Sequence, residues 1–107
     1  MKRAKQRQLE AAGWKVGTAR EFLGLSAEEA TFIELKLKLA HLLRDHRIRE
    51  GLTQVEVAKL VRSSQSRVAK MEAADPTVTA DLLIRTLLRL GITNRQLATV
   101  IRSQLAA

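Results

Sequence analysis

The chain has no cysteine and no tyrosine, a single proline, and only three aromatic residues, Trp14, Phe22 and Phe32. Without thiols there is no disulfide framework and no thiolate nucleophile or metal ligand. The same absence favours a reducing compartment only weakly. So few rings leave no platform on which unpaired bases could stack. No uninterrupted apolar run reaches the roughly 18 residues that would span a bilayer. The basic opening from Met1 to Arg7 has no apolar stretch behind it, which argues against a secretory signal. The expected location is the cytoplasm, with no membrane partner. Gly-rich phosphate loops and nucleophile motifs are missing. The two histidines, His41 and His46, stand five apart, whereas a metal-binding pair on a helix needs a spacing of three or four. No enzyme, no metal and no cofactor are expected.

Acidic residues are also scarce. Eleven Asp and Glu face nineteen Lys and Arg, giving a net charge of +8 and an isoelectric point near 10.9. Solubility alone asks of a small domain a net charge of about 2 to 8 in magnitude, so this chain sits at the ceiling. The excess is the electrostatic footprint of a polyanion binder. Charge does not separate DNA from RNA or from an acidic protein.

Helix starts are written in hydroxyl and carboxyl pairs. Thr18 with Glu21, Ser26 with Glu29, Thr53 with Glu56, and Thr93 with Gln96 match the capping box, which satisfies backbone donors left orphaned in a first turn. Gly13, Gly24, Gly51 and Gly91 fall where helices should stop. Pro76, in Asp75-Pro76-Thr77, prevents the preceding helix from running on. These signals place helices at about 4–12, 19–24, 27–50, 54–61, 65–73, 80–90 and 94–105. A short strand at Trp14-Lys15-Val16 is the one alternative to an all-α chain.

The window from Leu52 to Glu72 carries the most chemistry. It reads as two short helices, the first opening at Thr53-Gln54 and the second running Gln65-Ser66-Arg67-Val68-Ala69-Lys70-Met71-Glu72. Leu52, Val57, Ala58, Val61, Val68 and Met71 fall where crossed helices would bury them, and Ala58 is small enough to allow close approach. On a helical wheel Val68 and Met71 share one side, while Ser66, Ala69 and Lys70 face the other, flanked by Gln65 and Arg67. Amide, hydroxyl, methyl and cation together suit base edges and phosphates in a major groove. A helical bundle with merely solvated polar residues is the bland alternative.

This window resembles the XRE family, the Cro and phage-repressor type of helix-turn-helix. The resemblance implies an all-α, five-helix lambda-repressor-like DNA-binding domain over residues 27–107, preceded by a basic N-terminal extension with short helices over residues 1–26. It implies that Gln54 braces phosphate and the recognition helix, that Gln65, Ser66 and Lys70 read bases, and that Arg67 is a flanking contact. Ser64 joins the DNA-binding set beside them. Arg47 and Glu72 occupy the positions of a family ion pair, expected here to be structural. The turn position usually held by Gly is Arg62, so a strained or rerouted turn is expected there.

Outside the window, residues 27–50 carry two apolar stripes. Phe32, Leu35, Leu39, Leu42 and Leu43 should pack on the helix-turn-helix core; Ala30, Ile33, Leu37, Ala40 and Ile48 need cover from the N-terminal region or from a partner. Leu82, Leu83, Leu87, Leu88 and Leu90 read as a packing helix, with Arg85 and Arg89 turned toward phosphate or water. Leu97, Val100, Ile101 and Leu105 close the core or pair two protomers. A homodimer reading paired half-sites on double-stranded DNA is the expected functional unit. Residues 1–20 are basic, either a solvated tail or an arm along the duplex, with Trp14 as an anchor.

Gly13-Trp14-Lys15-Val16-Gly17, Phe22-Leu23-Gly24-Leu25-Ser26 and the Ser63 to Glu72 core resemble HigA-type antitoxins. That resemblance implies a repressor that autoregulates a HigBA-type toxin–antitoxin operon and binds a small RelE/HigB-like ribonuclease toxin. A stand-alone XRE-family regulator without a toxin partner, and a basic RNA-associated helical protein, remain open alternatives.

Overall fold

The computed structural model describes Gly24 and residues 26–103. Among these residues the chain is all-α, as expected: α1 (Ala27–Arg49), α2 (Gln54–Leu60), α3 (Gln65–Glu72), α4 (Ala80–Arg89) and α5 (Asn94–Arg102). The expected helix at 4–12, the expected helix at 19–24 apart from Gly24, which lies in a turn, the short strand at 14–16, the Thr18–Glu21 cap, the Trp14 anchor and Leu105 lie outside the described residues. Among the described residues, no helix is long and apolar enough to cross a membrane.

Each helix begins where a hydroxyl can accept. Thr53 takes the Glu56 N–H at 3.1 Å while Glu56 Oε1 accepts from the Thr53 N–H at 2.9 Å, a complete reciprocal cap. Thr93 and Gln96 repeat it at 3.2 and 2.9 Å. Ser26 accepts from the Glu29 N–H, and its hydroxyl donates to the Glu29 carboxylate, both at 3.1 Å. Ser64 and Thr79 cap α3 and α4 by accepting from Arg67 and Leu82. Neither is followed by Glu or Gln at the third position, so the box pattern misses them. Each such cap is worth about 1 kcal/mol.

The ends of α1, α2, α3 and α4 share one solution. After α1 the Leu52 N–H reaches the Arg47 carbonyl and Gly51 that of Ile48, both at 3.0 Å, with Gly51 at φ 68°. This Schellman arrangement occupies the last carbonyls through a residue in the left-handed region. It recurs after α2, where Ser63 bonds Ala58 and the left-handed residue is Arg62 at φ 57°. It recurs again after α3, through Ala74 at φ 51°, and after α4, through Gly91. Arg62 therefore keeps the path a glycine would take and carries the strain instead.

The chain divides into two compact units, of which the first spans residues 36–103 and the described residues up to Leu35 belong to the other. The first holds one core: Leu39, Leu42 and Leu43 of α1, Val57, Ala58 and Val61 of α2 and the turn behind it, Val68 and Met71 of α3, then Val78, Leu83, Leu87 and Ile92. Burying each large aliphatic side chain contributes roughly 1.5–3 kcal/mol. Ala58 sits where α2 and α3 pack on each other, and a methyl there permits their approach.

Several stripe assignments are corrected. Phe32 belongs to the other unit and is 52 % exposed, so the first stripe reaches this core only from Leu39. In the second stripe Ala30, Leu37 and Ala40 are buried, but Ile48, near the C-terminal end of α1, is exposed. Leu88 is 48 % exposed, because the buried face of α4 is centred on Leu83, Thr86 and Leu87 and Leu88 falls on its flank. Thr86 takes the core place instead, with its hydroxyl donating to Met71 Sδ at 3.4 Å.

Part of the cationic excess turns inward. Lys36 Nζ donates to the Asp75 carbonyl at 3.4 Å, Lys38 Nζ to Ile101 at 2.8 Å, Arg47 Nη1 to Leu52 at 3.1 Å and Arg89 Nη1 to Val61 at 3.0 Å. Every one of these carbonyls lies at or just past a helix C-terminus, where cations are favoured by the helix dipole. Arg89, expected to meet phosphate or water, ties α4 to α2. Arg85 pairs with Asp81 at 3.0 Å on the exposed side of its own helix.

Candidate nucleic-acid interface

α3 is amphipathic by construction. Val68 and Met71 are fully buried, whereas Gln65, Ser66, Arg67 and Lys70 are exposed. The first turn contains no acidic residue and the last turn carries Lys70, so the outward face offers donors and positive charge. α2 and the capped turn at Ser64 hold this helix from one side. Ser63, at the turn, has a buried hydroxyl without a hydrogen-bond partner among the described residues.

The structure divides the named residues into two groups. The first is a chain of hydrogen bonds. Gln65 Nε2 donates to Gln54 Oε1 at 2.6 Å, and Gln54 Nε2 donates to Glu72 Oε1 at 3.3 Å. Glu72 receives Arg47 on both oxygens, Nε at 2.6 Å and Nη2 at 2.9 Å. Arg47 is thereby fixed between Glu72 and the Leu52 carbonyl. The Glu72 carboxylate holds the Arg47 guanidinium above the ordinary arginine pKa, chiefly through these hydrogen bonds. The C-terminal end of α1, the start of α2 and both ends of α3 are joined in this way.

The second group surrounds a shallow depression of about 300 Å³. Ser64, Ser66, Arg67 and Lys70 line it from the α3 side, and Thr77, Val78 and Leu82 from the side of α4. Thr77 is positioned by Asp75, whose Oδ1 accepts from its N–H at 2.8 Å and its hydroxyl at 2.6 Å. Thr77 is absent from the sequence-derived set. The Asp75-Pro76-Thr77 turn could have signalled it, because Asp side chains hydrogen-bond backbone two residues on. Ser64 contributes as the cap of α3, its oxygen already taken by the Arg67 N–H, with its own O–H left to donate.

Two capped helices joined by a Schellman turn, the second buried on one side and polar on the other, define a helix-turn-helix protein. The chain belongs to that family: a family model described as a helix-turn-helix domain matches residues 38–101, more than half of the chain, and is of the XRE and Cro kind. Such domains bind DNA. No curated protein and no solved structure matches the chain.

Proposed function

We propose that this protein is a sequence-specific DNA-binding transcriptional repressor that places α3 in the major groove. Gln65 and Ser66 face the bases, while Gln54, Ser64, Arg67 and Lys70 approach the backbone; the depression that Lys70 shares with Ser64 and Arg67 favours a phosphate for it over the base edge that the resemblance alone implies. The observation that carries this reading is the open polar face of α3, backed by the fully buried Val68 and Met71. A single half-site offers limited contact, so the acting unit is a homodimer on half-sites about 34–36 Å apart.

Resemblance of the extension and of the Ser63 to Glu72 core to HigA-type antitoxins extends the proposal to an autoregulated toxin–antitoxin operon, with a RelE/HigB-like ribonuclease as second partner. Co-purification with the product of a neighbouring gene tests that extension separately. A stand-alone regulator would show operator binding with no such partner.

Footprinting on the promoter upstream of the gene tests the main reading, the expected result being two protected half-sites about one helical turn apart. Replacing Gln65 with Ala should cost roughly 1–3 kcal/mol on that site and little on random duplex. Equal affinity for operator and for hairpin RNA would overturn it.

A further inference from the structure

We infer that the outward side of α4, carrying Asp81, Ile84, Arg85 and Leu88, is the surface through which two copies of this chain pair. The inference rests on the homodimer reading above and names the face that makes the dimer.

The face begins with apolar side chains that the core leaves unused. The buried side of α4 holds Leu83, Thr86 and Leu87. At about 100° per residue, Asp81, Ile84, Arg85 and Leu88 fall together on the opposite side. Ile84 is 37 % exposed and Leu88 is more so. Among the described residues, these are the only two exposed large apolar side chains that stand one helical turn apart. Neighbours at that spacing form one ridge. A single exposed apolar residue needs no explanation, whereas a joined pair rimmed by charge has the make-up of a contact surface.

Charge decides what the ridge meets. Asp81 and Arg85 border it, paired with each other at 3.0 Å and 73 % and 70 % exposed. A two-fold axis sets a patch against itself, so such a contact needs a surface complementary to its own copy. The α4 face meets that requirement. Laid antiparallel about an axis near Ile84, it sets Ile84 against Ile84 of the second copy and brings each Asp81 beside the other copy's Arg85. A pair so exposed to water loses little when it re-forms across an interface.

α5, with Ile101 exposed on its flank, fails the same requirement. Its outward side carries Arg95 and Arg102, and no acidic residue occurs between Asn94 and Arg102, so a two-fold axis there opposes cation to cation. Pairing through α4 also leaves the reading surface open. The depression beside α3 meets α4 at Leu82, on a different flank. One helix face is small against the roughly 1,200–2,000 Å² that stable complexes bury, so the free dimer should be weak and reinforced when paired half-sites hold both copies close.

The test is sedimentation equilibrium of the full chain without DNA, beside titration of duplexes carrying one or both of the footprinted half-sites. Ile84→Gln combined with Leu88→Gln removes the ridge at constant charge. Asp81→Arg makes the face wholly cationic, and Arg85→Asp makes it wholly acidic. The wild type should dimerise as concentration rises and fill two half-sites cooperatively. The double glutamine variant should sediment as a monomer and lose about ten-fold or more on the two-site duplex, with affinity for a single half-site held. Each charge variant should be monomeric alone, and an equimolar mixture of the two should form a mixed dimer, which a merely solvated face does not produce. Because these side chains are exposed, melting temperatures should barely move, so a lost dimer is not a misfolded chain.

A dimer that survives in the double glutamine variant, a mixture of charge variants no more dimeric than either alone, or a wild type monomeric both free and on the two-site duplex overturns the inference. In the last case, retained binding to a single half-site leaves DNA reading by α3 standing. A wild type that dimerises through this face yet binds no duplex overturns the DNA-binding reading and supports the interface.

Discussion

Arg47 and Glu72, 25 positions apart, close a two-pronged ion pair that fastens the end of α1 to the end of α3. Their side chains are 17 % and 6 % exposed, so neither charge has much water to fall back on. Replacing Arg47 with Ala would leave a buried carboxylate unmatched and the Leu52 carbonyl without its donor. Breaking such a pair from one side costs about 3 kcal/mol, and denaturant unfolding should show a loss of that size. A loss under about 1 kcal/mol, the range of exposed pairs, would place this pair among ordinary surface contacts.

Arg62 and Ala74 hold left-handed backbone at φ 57° and 51°, a conformation that costs an L-residue roughly 1–2 kcal/mol. Part of that is returned by the smaller entropy they lose on folding relative to glycine. Arg62→Gly and Ala74→Gly should each raise stability by about 1 kcal/mol or somewhat less. Gly51→Ala and Gly91→Ala should lower it. Among the described residues, no heavy atom beyond the chain neighbours lies within 4 Å of the Cβ that either would gain, so backbone strain is what contributes there. Glycine substitutions that destabilise at both 62 and 74 would contradict the assignment of strain.

Acid should weaken the cap of α2. The Thr53 backbone N–H, and then its hydroxyl, hold the Glu56 carboxyl below the ordinary glutamate range. A carboxyl whose folded pKa is lowered contributes stability that is complete above its unfolded pKa and is lost as pH falls through the folded value. Gln at position 56 still accepts from Thr53 but does not titrate. The difference in Tm between wild type and Glu56→Gln should therefore be largest near neutral pH and shrink below the glutamate range. A gap independent of pH would rule the charge out of the cap.

Lys70 shares its depression with Arg67, Ser64 and Ser66, a convergence of donors suited to a phosphate. Lys70→Ala should weaken all duplexes alike and flatten the dependence of log affinity on log salt by about one unit. Sequence-selective loss at unchanged slope would make Lys70 a base reader instead.

Short-range chemistry was readable from residue order. Thr53 with Glu56 and Thr93 with Gln96 announce two helix starts because both partners of each cap lie within four positions. Val57, Ala58, Val61, Val68 and Met71 announce the crossed pair because helical periodicity alone puts them on facing sides. Periodicity gives the direction of a face but not its width, so Leu88 was assigned to a core that Thr86 occupies. Long-range partners are not encoded in any local pattern. Lys38 meets Ile101 across 63 positions, and the depression beside α3 depends on a turn from Asp75 to Thr77 folding back toward Ser66. The Gln65, Gln54 and Glu72 linkage lay in between: its members were named individually from family resemblance, while their order of donation required side-chain geometry.

α5 contributes no fully buried residue; Leu97 and Val100 lean on the core, and Lys38 holds the Ile101 carbonyl at 2.8 Å. A segment anchored so lightly can open by itself at a lower free-energy cost than global unfolding. Its amide hydrogens should exchange with heavy water through brief local excursions, well ahead of those in α2 and α3.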